Sequence, residues 1–157
     1  MAYLEGEVEL MSPSGGHEVT KTSLARLLEA YAEELNIEIQ GIGSWTLKRK
    51  RKKRAVEPDE CYVVGESRMR TPDLAIEVEW TRGGLDKLDI YRKIGVREVW
   101  IWRKGTIEVH WLRGGKYFRI EKSRVLRRVD LRLVEELLLI ESQTQAVREL
   151  RKRLRRR

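Results

Sequence analysis

The sequence is poor in the residues that build disulfides, zinc sites and membrane spans. A single cysteine, Cys61, excludes an intramolecular disulfide, and with only two histidines beside it a zinc cluster is not expected. No apolar run approaches the roughly 20 residues that cross a bilayer. The first residues lack the basic start and apolar stretch of a signal peptide. The glycine pairs at residues 83–84 and 114–115 lack the spacing of a phosphate-binding loop. We therefore expect a cytoplasmic protein with no membrane contact and no organic cofactor.

The chain is rich in charged residues, which make up 37% of the sequence. Hydrophobic residues make up 41% of the 157, enough for one folded domain with a core, and the formal net charge is +8. One cluster is wholly basic: Lys48, Arg49, Lys50, Arg51, Lys52, Lys53 and Arg54. The tail over residues 148–157 has seven basic residues and one acid. Such clusters either contact nucleic-acid phosphates or keep a highly charged protein in solution, and at a helix end they also complement the dipole.

The order of predicted elements indicates an α/β or α+β domain over residues 1–157, ending in a basic helical tail from about residue 143. Alternating apolar residues predict strands over residues 3–11, 37–47, 56–64, 73–80, 98–103, 106–113 and 116–122. Helical periodicity predicts helices over residues 15–35, 85–95, 131–140 and 143–154. Cys61 is most simply a small core residue.

Carboxylates on one face of a predicted strand suggest a cation site. Asp73, Glu77 and Glu79 share a face of the strand over residues 73–80, and Asp59 opens the preceding strand. Asp59 and Asp73 each follow a proline, which is also a common turn element. Glu77 is more informative, because glutamate is disfavoured in the middle of an apolar strand. Crowded carboxylates are costly without a cation between them, and oxygen ligands suit Mg²⁺ or Mn²⁺.

Two further side chains lie where apolar residues are expected. Lys87 falls on the inward stripe of the helix over residues 85–95, so its ammonium either reaches the carboxylates or bends out to water. His17 aligns with the apolar stripe of the first helix, and Glu18 sits at its edge. His17 is then either a structural contact at the helix start or, with Glu18, a contribution to the site.

The combined order of these motifs resembles the Uma2 family of restriction-endonuclease-like proteins. The resemblance extends from about Tyr3 to Tyr117. It is carried by Met11-Ser12-Pro13, His17-Glu18, Glu57-Pro58-Asp59, Pro72-Asp73-Leu74-Ala75-Ile76-Glu77-Val78, Asp86-Lys87 with Tyr91, and Gly95-Val96 before Glu98-Val99-Trp100. The resemblance implies a PD-(D/E)XK nuclease fold, with a mixed central sheet flanked by helices. It also implies a divalent metal held by an aspartate on one strand and an acid on the next.

Carried over to this chain, the resemblance makes Asp59 and Glu77 the metal ligands and Lys87 the catalytic lysine. Glu79 stands where the general nuclease pattern has lysine, so it is either an extra ligand or the mark of an altered, inactive site. Asp73, Glu18 and His17 are second candidates. The expected activity is Mg²⁺- or Mn²⁺-dependent cleavage of DNA, with the 48–54 run as a loop that grips phosphates.

Two alternative functions remain open, and the sequence also predicts an oligomeric state. The chain could be a silent nucleic-acid-binding protein on a nuclease scaffold, or a structural module that assembles through its tryptophan-bearing strands. Trp100 and Trp102 share one strand face while Val99 and Ile101 share the other. A strand with large apolar residues on both faces needs cover on both, so we predict a homodimer.

Overall fold

Ten strands and four helices occupy the described part of the chain. The computed structural model describes residues 2–4, 7–9, 15–49, 54–65, 71–78 and 86–156, with the backbone alone at 2, 4, 7–9, 48, 49 and 54. The helices are α1 (Gly15–Glu34), α2 (Lys87–Ile94), α3 (Leu131–Leu137) and α4 (Gln143–Leu154). The strands are β1 (Ala2–Leu4), β2 (Glu7–Glu9), β3 (Ile39–Gly41), β4 (Leu47–Arg49), β5 (Arg54–Val56), β6 (Glu60–Val64), β7 (Leu74–Val78), β8 (Glu98–Arg103), β9 (Thr106–Arg113) and β10 (Lys116–Ile120).

The strands form two sheets. The larger has the order β10-β9-β8-β7-β6-β3, in which β7 and β8 are parallel and the other neighbours are antiparallel. A parallel pair needs a crossover connection, which α2 supplies between β7 and β8. The smaller sheet is antiparallel, with the order β2-β1-β5-β4. The fold is therefore α/β with a mixed sheet and flanking helices, as the sequence predicts.

Helices α1, α3 and α4 cover one face of the larger sheet. Alternation along β7 sends Leu74, Ile76 and Val78 to this face, where they pack with Trp100 and Trp102 of β8. Helix α4 lies against α1, and its arginines form ion pairs with acids of α1 and α3. The basic tail is thus partly neutralised within the chain.

Helix α2 and the hairpin of β4 and β5 cover the opposite face. Ala75, Val99 and Ile101 pack there with residues of α2 and with Leu47 and Val56 of the hairpin. Both faces of β8 are therefore covered by the chain itself, and the reason for expecting a homodimer falls away. The homodimer stays a prediction without support from the described surface.

Two predicted elements are wrong in extent. The strand expected over residues 37–47 is interrupted, because β3 belongs to the larger sheet and β4 to the smaller one. Gly43 lies between them with φ of 66°, a left-handed conformation that ends an extended run. The 48–54 run is not a loop throughout: Lys48 pairs with Ala55 and Arg49 with Arg54 in the β4–β5 hairpin, while residues 50–53 lie outside the described residues. Among the described helices none is both long enough and apolar enough to cross a membrane, and the cytoplasmic location stays a prediction.

Candidate active site

Asp59 and Glu77 meet at one end of the sheet. β6 and β7 pair with Glu60 opposite Ile76, and the next step of the same register sets Asp59 opposite Glu77. Directly opposite residues have Cβ atoms about 5 Å apart. The Val78 N–H donates a 2.7 Å hydrogen bond to Asp59 Oδ2, which fixes the Asp59 carboxylate against the end of β7. The carboxylate of Asp59, just before β6, and that of Glu77 in β7 therefore lie side by side.

Helix α2 presents Lys87 and Tyr91 to this pair. The Asp86 side chain caps the helix by accepting a 3.1 Å hydrogen bond from the Asp89 N–H, and Gly95 ends it with φ of 97°. Residues four apart share one helix face, so Lys87 and Tyr91 point the same way. Both reach the same carboxylate.

Both oxygens of Glu77 have donors from α2. Lys87 Nζ lies 2.7 Å from Glu77 Oε2, and the Tyr91 hydroxyl donates to Glu77 Oε1. Glu77 is 1% exposed and Tyr91 is fully buried. A buried carboxylate without such donors would be strongly destabilising, so this arrangement explains how a mid-strand glutamate persists in the core.

Burial dominates the electrostatics of Glu77. Loss of hydration raises the pKa of Glu77 to about 7, an effect that the Lys87 ammonium opposes and the nearby Asp59 carboxylate reinforces. Burial, followed by the charge of Glu77, raises the pKa of Tyr91 well above its ordinary value. Tyr91 therefore stays a phenol at every physiological pH and acts only as a hydrogen-bond donor to Glu77.

The first turn of α1 brings His17 to the other carboxylate. His17 Nε2 lies 3.2 Å from Asp59 Oδ2, and Nδ1 lies 3.3 Å from Glu18 Oε1. His17 is buried, whereas the Glu18 side chain is 44% exposed and pairs with Lys21 Nζ at 2.9 Å. The hydrogen bond from Lys21 lowers the pKa of Glu18. His17 thus orients Asp59, while Glu18 and Lys21 form the outer rim of the site.

Asp73, a second candidate from the sequence, does not join the pair. Its Oδ2 accepts a 3.0 Å hydrogen bond from the Val64 N–H, and its Oδ1 lies 3.0 Å from Arg97 Nη1. Asp73 shares the face of Glu77 but lies four residues before it, about 13 Å away along the strand. Its carboxylate ties the start of the strand to its neighbours and is removed from the candidate site.

Glu79 and the basic residues Lys50, Arg51, Lys52 and Lys53 fall outside the described residues. Lys48, Arg49 and Arg54 are placed by their backbone in the β4–β5 hairpin. At the base of this hairpin, Leu47 and Val56 pack in one buried cluster with Tyr91, which donates to Glu77, so the base of the hairpin adjoins the carboxylate pair.

Two residues near the pair carry no function in the sequence-based prediction. Tyr91 lies in an apolar helical stripe, where a tyrosine is typical of a core residue, although its spacing from Lys87 predicts that the two share a partner. Lys21 lies four residues after His17, and the charges of Glu60 and Asp59 add to the rise in its pKa that begins with the Glu18 hydrogen bond. Each lies four residues after a candidate site residue, Tyr91 after Lys87 and Lys21 after His17. This helical spacing is the sequence signal that could have identified both.

The donor set suits a hard cation with few protein ligands. Among the residues that the structure describes, no group of three or more histidine, cysteine, aspartate or glutamate side chains forms a metal site. Mg²⁺ commonly binds through one or two carboxylates and completes its shell with water and substrate phosphate. Asp59 and Glu77 provide two such carboxylates side by side. Among the residues that the structure describes, the soft donor near them is the buried thiol of Cys61, whose pKa burial raises to about 11. The residues therefore fit Mg²⁺ or Mn²⁺.

Known proteins resemble this chain in sequence and in fold. Residues 1–146 match the Uma2 family, described as "Putative restriction endonuclease". A crystal structure described as a putative nuclease belonging to DUF820 from Anabaena variabilis ATCC 29413 has a similar fold, with a TM-score of 0.58 and 15% sequence identity over 95% of this chain and 90% of that chain. At this identity the likeness concerns the fold alone. No curated protein matches the sequence. Because the family match extends over residues 1–146 of the 157, this chain belongs to the Uma2 family.

Proposed function

We propose that the protein hydrolyses phosphodiester bonds of DNA with the help of Mg²⁺ or Mn²⁺ held by Asp59 and Glu77. The observation that carries the proposal is the position of the Asp59 carboxylate, which accepts a hydrogen bond from the Val78 N–H, beside Glu77, whose Oε2 lies 2.7 Å from the Lys87 ammonium. Carboxylates crowded beside a cationic side chain suit a phosphoryl-transfer site, where negative charge must be both held and neutralised. Membership in a family described as "Putative restriction endonuclease" supports the same reaction class.

The residues have separable roles in this proposal. The divalent ion, when bound, polarises a phosphoryl oxygen and activates water. Asp59 and Glu77 are its ligands. Lys87 holds a positive charge beside the reacting phosphate and stabilises the charge that develops there. Tyr91 fixes the orientation of Glu77, and His17 that of Asp59.

The basic hairpin is proposed to hold the substrate. Its base adjoins the carboxylate pair, and a run of lysine and arginine neutralises phosphates with release of counterions. We propose DNA as the substrate because the family description names a restriction endonuclease. Neutralising Lys50, Arg51, Lys52 and Lys53 would then weaken duplex binding and flatten its salt dependence, while unchanged affinity and slope would reduce the run to a solubilising role.

One observation favours a silent binding protein as the second candidate. Both oxygens of Glu77 already accept from Lys87 and Tyr91, so the carboxylate is satisfied without any added ion. A scaffold that has lost turnover would keep such an internally paired site and still bind nucleic acid through its basic residues.

A cleavage assay on supercoiled plasmid separates the two candidates. We expect nicking or linearisation with Mg²⁺ or Mn²⁺, none with EDTA, and a fall of about two orders of magnitude or more in Asp59→Asn and Glu77→Gln. The matched control is Asp73→Asn, which removes a charge from the far end of the same strand and leaves the pair intact. Thermal unfolding verifies that each variant is folded. Duplex binding without cleavage by the wild-type protein, under every divalent ion tried, would establish the silent alternative.

A further inference from the structure

The connection between β10 and α3, together with the first turn of α3, is strongly basic. Residues 121–132 contain five lysines and arginines against the two acids Glu121 and Asp130. The five are Lys122, Arg124, Arg127, Arg128 and Arg132. We call these five side chains the distal basic surface. They lie in neither of the clusters that the sequence pattern singles out, the 48–54 run and the tail.

These five side chains lack the acidic partners that other basic residues of the chain have. Within the described ranges none of them forms an ion pair. Arg124 stacks on the Trp111 ring at 5.6 Å, and Arg127 and Arg128 donate to backbone carbonyls. In α4, by contrast, Arg151 pairs with Glu33 and Glu34, and Arg153 pairs with Glu136 and Glu149. The positive charge of the distal basic surface is therefore left for an external partner, whereas that of α4 is balanced internally.

The backbone that carries this surface is held rigidly although it has little regular secondary structure. Glu98 is fully buried and accepts hydrogen bonds from the Arg124 N–H at 2.8 Å and from the Ser123 hydroxyl at 2.5 Å. Leu126 and Val129 are buried in the core, between exposed arginines. Basic side chains on a fixed backbone lose less entropy on binding an anion than those on a free loop. The surface is thus preorganised.

The surface is concave and far from the carboxylate pair. A depression of about 540 Å³ is lined by Lys122, Arg127, Arg128 and Arg132 together with the two acids. Arg128 Nη1 donates a 2.8 Å hydrogen bond to the carbonyl of Leu35, just past the end of α1. His17 marks the other end of that helix, so at 1.5 Å per residue the two sites are about 27 Å apart.

We propose that the distal basic surface is a second nucleic-acid-binding site, which takes backbone phosphates of a segment other than the one at the carboxylate pair. Arginine guanidinium groups match phosphate oxygens in geometry and charge. A lipid surface is the less suitable partner, because the apolar residues of the segment are turned into the core and none is left to insert. The choice of nucleic acid rests on the proposed function; the binding site itself does not require cleavage.

The salt dependence of binding tests this proposal. One variant carries Lys122→Gln, Arg127→Gln, Arg128→Gln and Arg132→Gln; the matched control removes the same charge from α4 with Arg151→Gln, Lys152→Gln, Arg153→Gln and Arg155→Gln. Fluorescence anisotropy with a 20-base-pair duplex, in EDTA and over a series of salt concentrations, gives the slope of log K against log salt. Each lost phosphate contact lowers this slope by about 0.9, so we expect a fall of about two to four in the surface variant and of less than one in the control.

The outcomes are separable. A fall in the surface variant no larger than that of the control would overturn the proposal, because only overall charge would then matter. Unaltered duplex binding combined with lost binding to anionic phospholipid vesicles would overturn it in favour of a lipid surface. Since the measurement contains no divalent ion, a wild-type protein that fails to cleave DNA can still show the expected slopes, and a protein that cleaves can fail to show them. Circular dichroism and thermal melts verify that both variants are folded.

Discussion

Tyr91 and Glu77 are hydrogen-bonded inside the core, the phenol of one donating to Oε1 of the other. The ammonium of Lys87, one helical turn earlier, donates a hydrogen bond to Oε2 of the same carboxylate. Helix α2 is therefore fastened to β7 through a buried carboxylate, and the same contact orients a proposed metal ligand. Stability and function are coupled at this point, and the pair yields the first prediction.

Tyr91→Phe should destabilise the fold more than an ordinary lost hydrogen bond. The variant keeps the ring but removes a donor from a buried carboxylate, which costs about 1.5–3 kcal/mol of unfolding free energy, against about 0.5–1.5 for a neutral acceptor. Tyr117→Phe is the matched control, because the Tyr117 hydroxyl donates at 2.6 Å to the neutral carbonyl of Val96. Urea unfolding in EDTA at pH 9, where Glu77 with its pKa of about 7 is ionised, measures both. Equal losses in the two variants would contradict a charged acceptor at Tyr91.

Glu77 should make the metal-free protein less stable as the pH rises. Its folded-state pKa of about 7 lies above the ordinary value of 4.5, so the folded state binds the proton more tightly than the unfolded state. The stabilisation is complete below pH 4.5 and is lost as the pH rises through about 7. At about 1.4 kcal/mol per pKa unit, the shift from 4.5 to about 7 corresponds to about 3.5 kcal/mol at most.

Glu77→Gln isolates this effect from other titrating groups such as Glu60, whose pKa burial also raises. We subtract the free energy of unfolding of the variant from that of the wild type. This difference should be smaller at pH 8 than at pH 5, because the wild type loses stability as Glu77 ionises. Urea unfolding at both pH values in EDTA measures it. A pH-independent difference would show that Glu77 titrates normally.

Local patterns predict the strands on one side of the sheet almost residue by residue. β8 and β9 begin and end where the alternation does, because the Lys104-Gly105 turn adopts the positive φ angles that a tight hairpin requires. β10 ends two residues before the predicted limit at 122. The interrupted strand over residues 37–47 shows the limit of such patterns, since alternation does not reveal that β3 and β4 belong to different sheets.

The candidate site is predictable only where its members lie on neighbouring elements. The inward stripe of α2 predicts Lys87 near the acids of β7, and the Lys87–Glu77 contact is present. The His17–Asp59 contact joins residues 42 apart in sequence, and no local pattern encodes it. Asp73 fails as a candidate because sharing a face says nothing of distance along a strand.

Glu98→Gln should loosen the connection that carries the distal basic surface. The glutamine amide would place an N–H₂ group against donors that now meet a carboxylate oxygen, among them the Arg124 N–H and the Trp100 indole, which lies 2.7 Å from Oε1. One buried unsatisfied donor costs about 1–3 kcal/mol. Glu108→Gln, in a partly exposed group of ion pairs, is the control and should cost less than about 1 kcal/mol. Urea unfolding compares the two.

Faster amide hydrogen exchange at residues 124–126 should accompany the loss of stability in Glu98→Gln. Unchanged exchange would mean that Leu126 and Val129 alone hold the segment.

Lys87→Met tests whether the helix lysine is catalytic. Methionine keeps the volume of the stem and removes the charge, while Lys87 Nζ now lies against Glu77 in a side chain that is 16% exposed. Without metal, loss of the ammonium raises the pKa of Glu77 further, so the carboxyl is protonated at neutral pH and the cost in stability is small there and larger at pH 9. With Mg²⁺ or Mn²⁺ at the Asp59–Glu77 pair, the ion supplies the missing positive charge, and the variant should stay folded and bind the ion.

Plasmid cleavage by Lys87→Met should nevertheless fall by about two to three orders of magnitude, because the charge that stabilises the reacting phosphate is gone. Lys116→Met, on the exposed edge strand, is the control and should cleave like the wild type. Wild-type cleavage by a folded Lys87→Met variant would leave the lysine with the single role of satisfying Glu77.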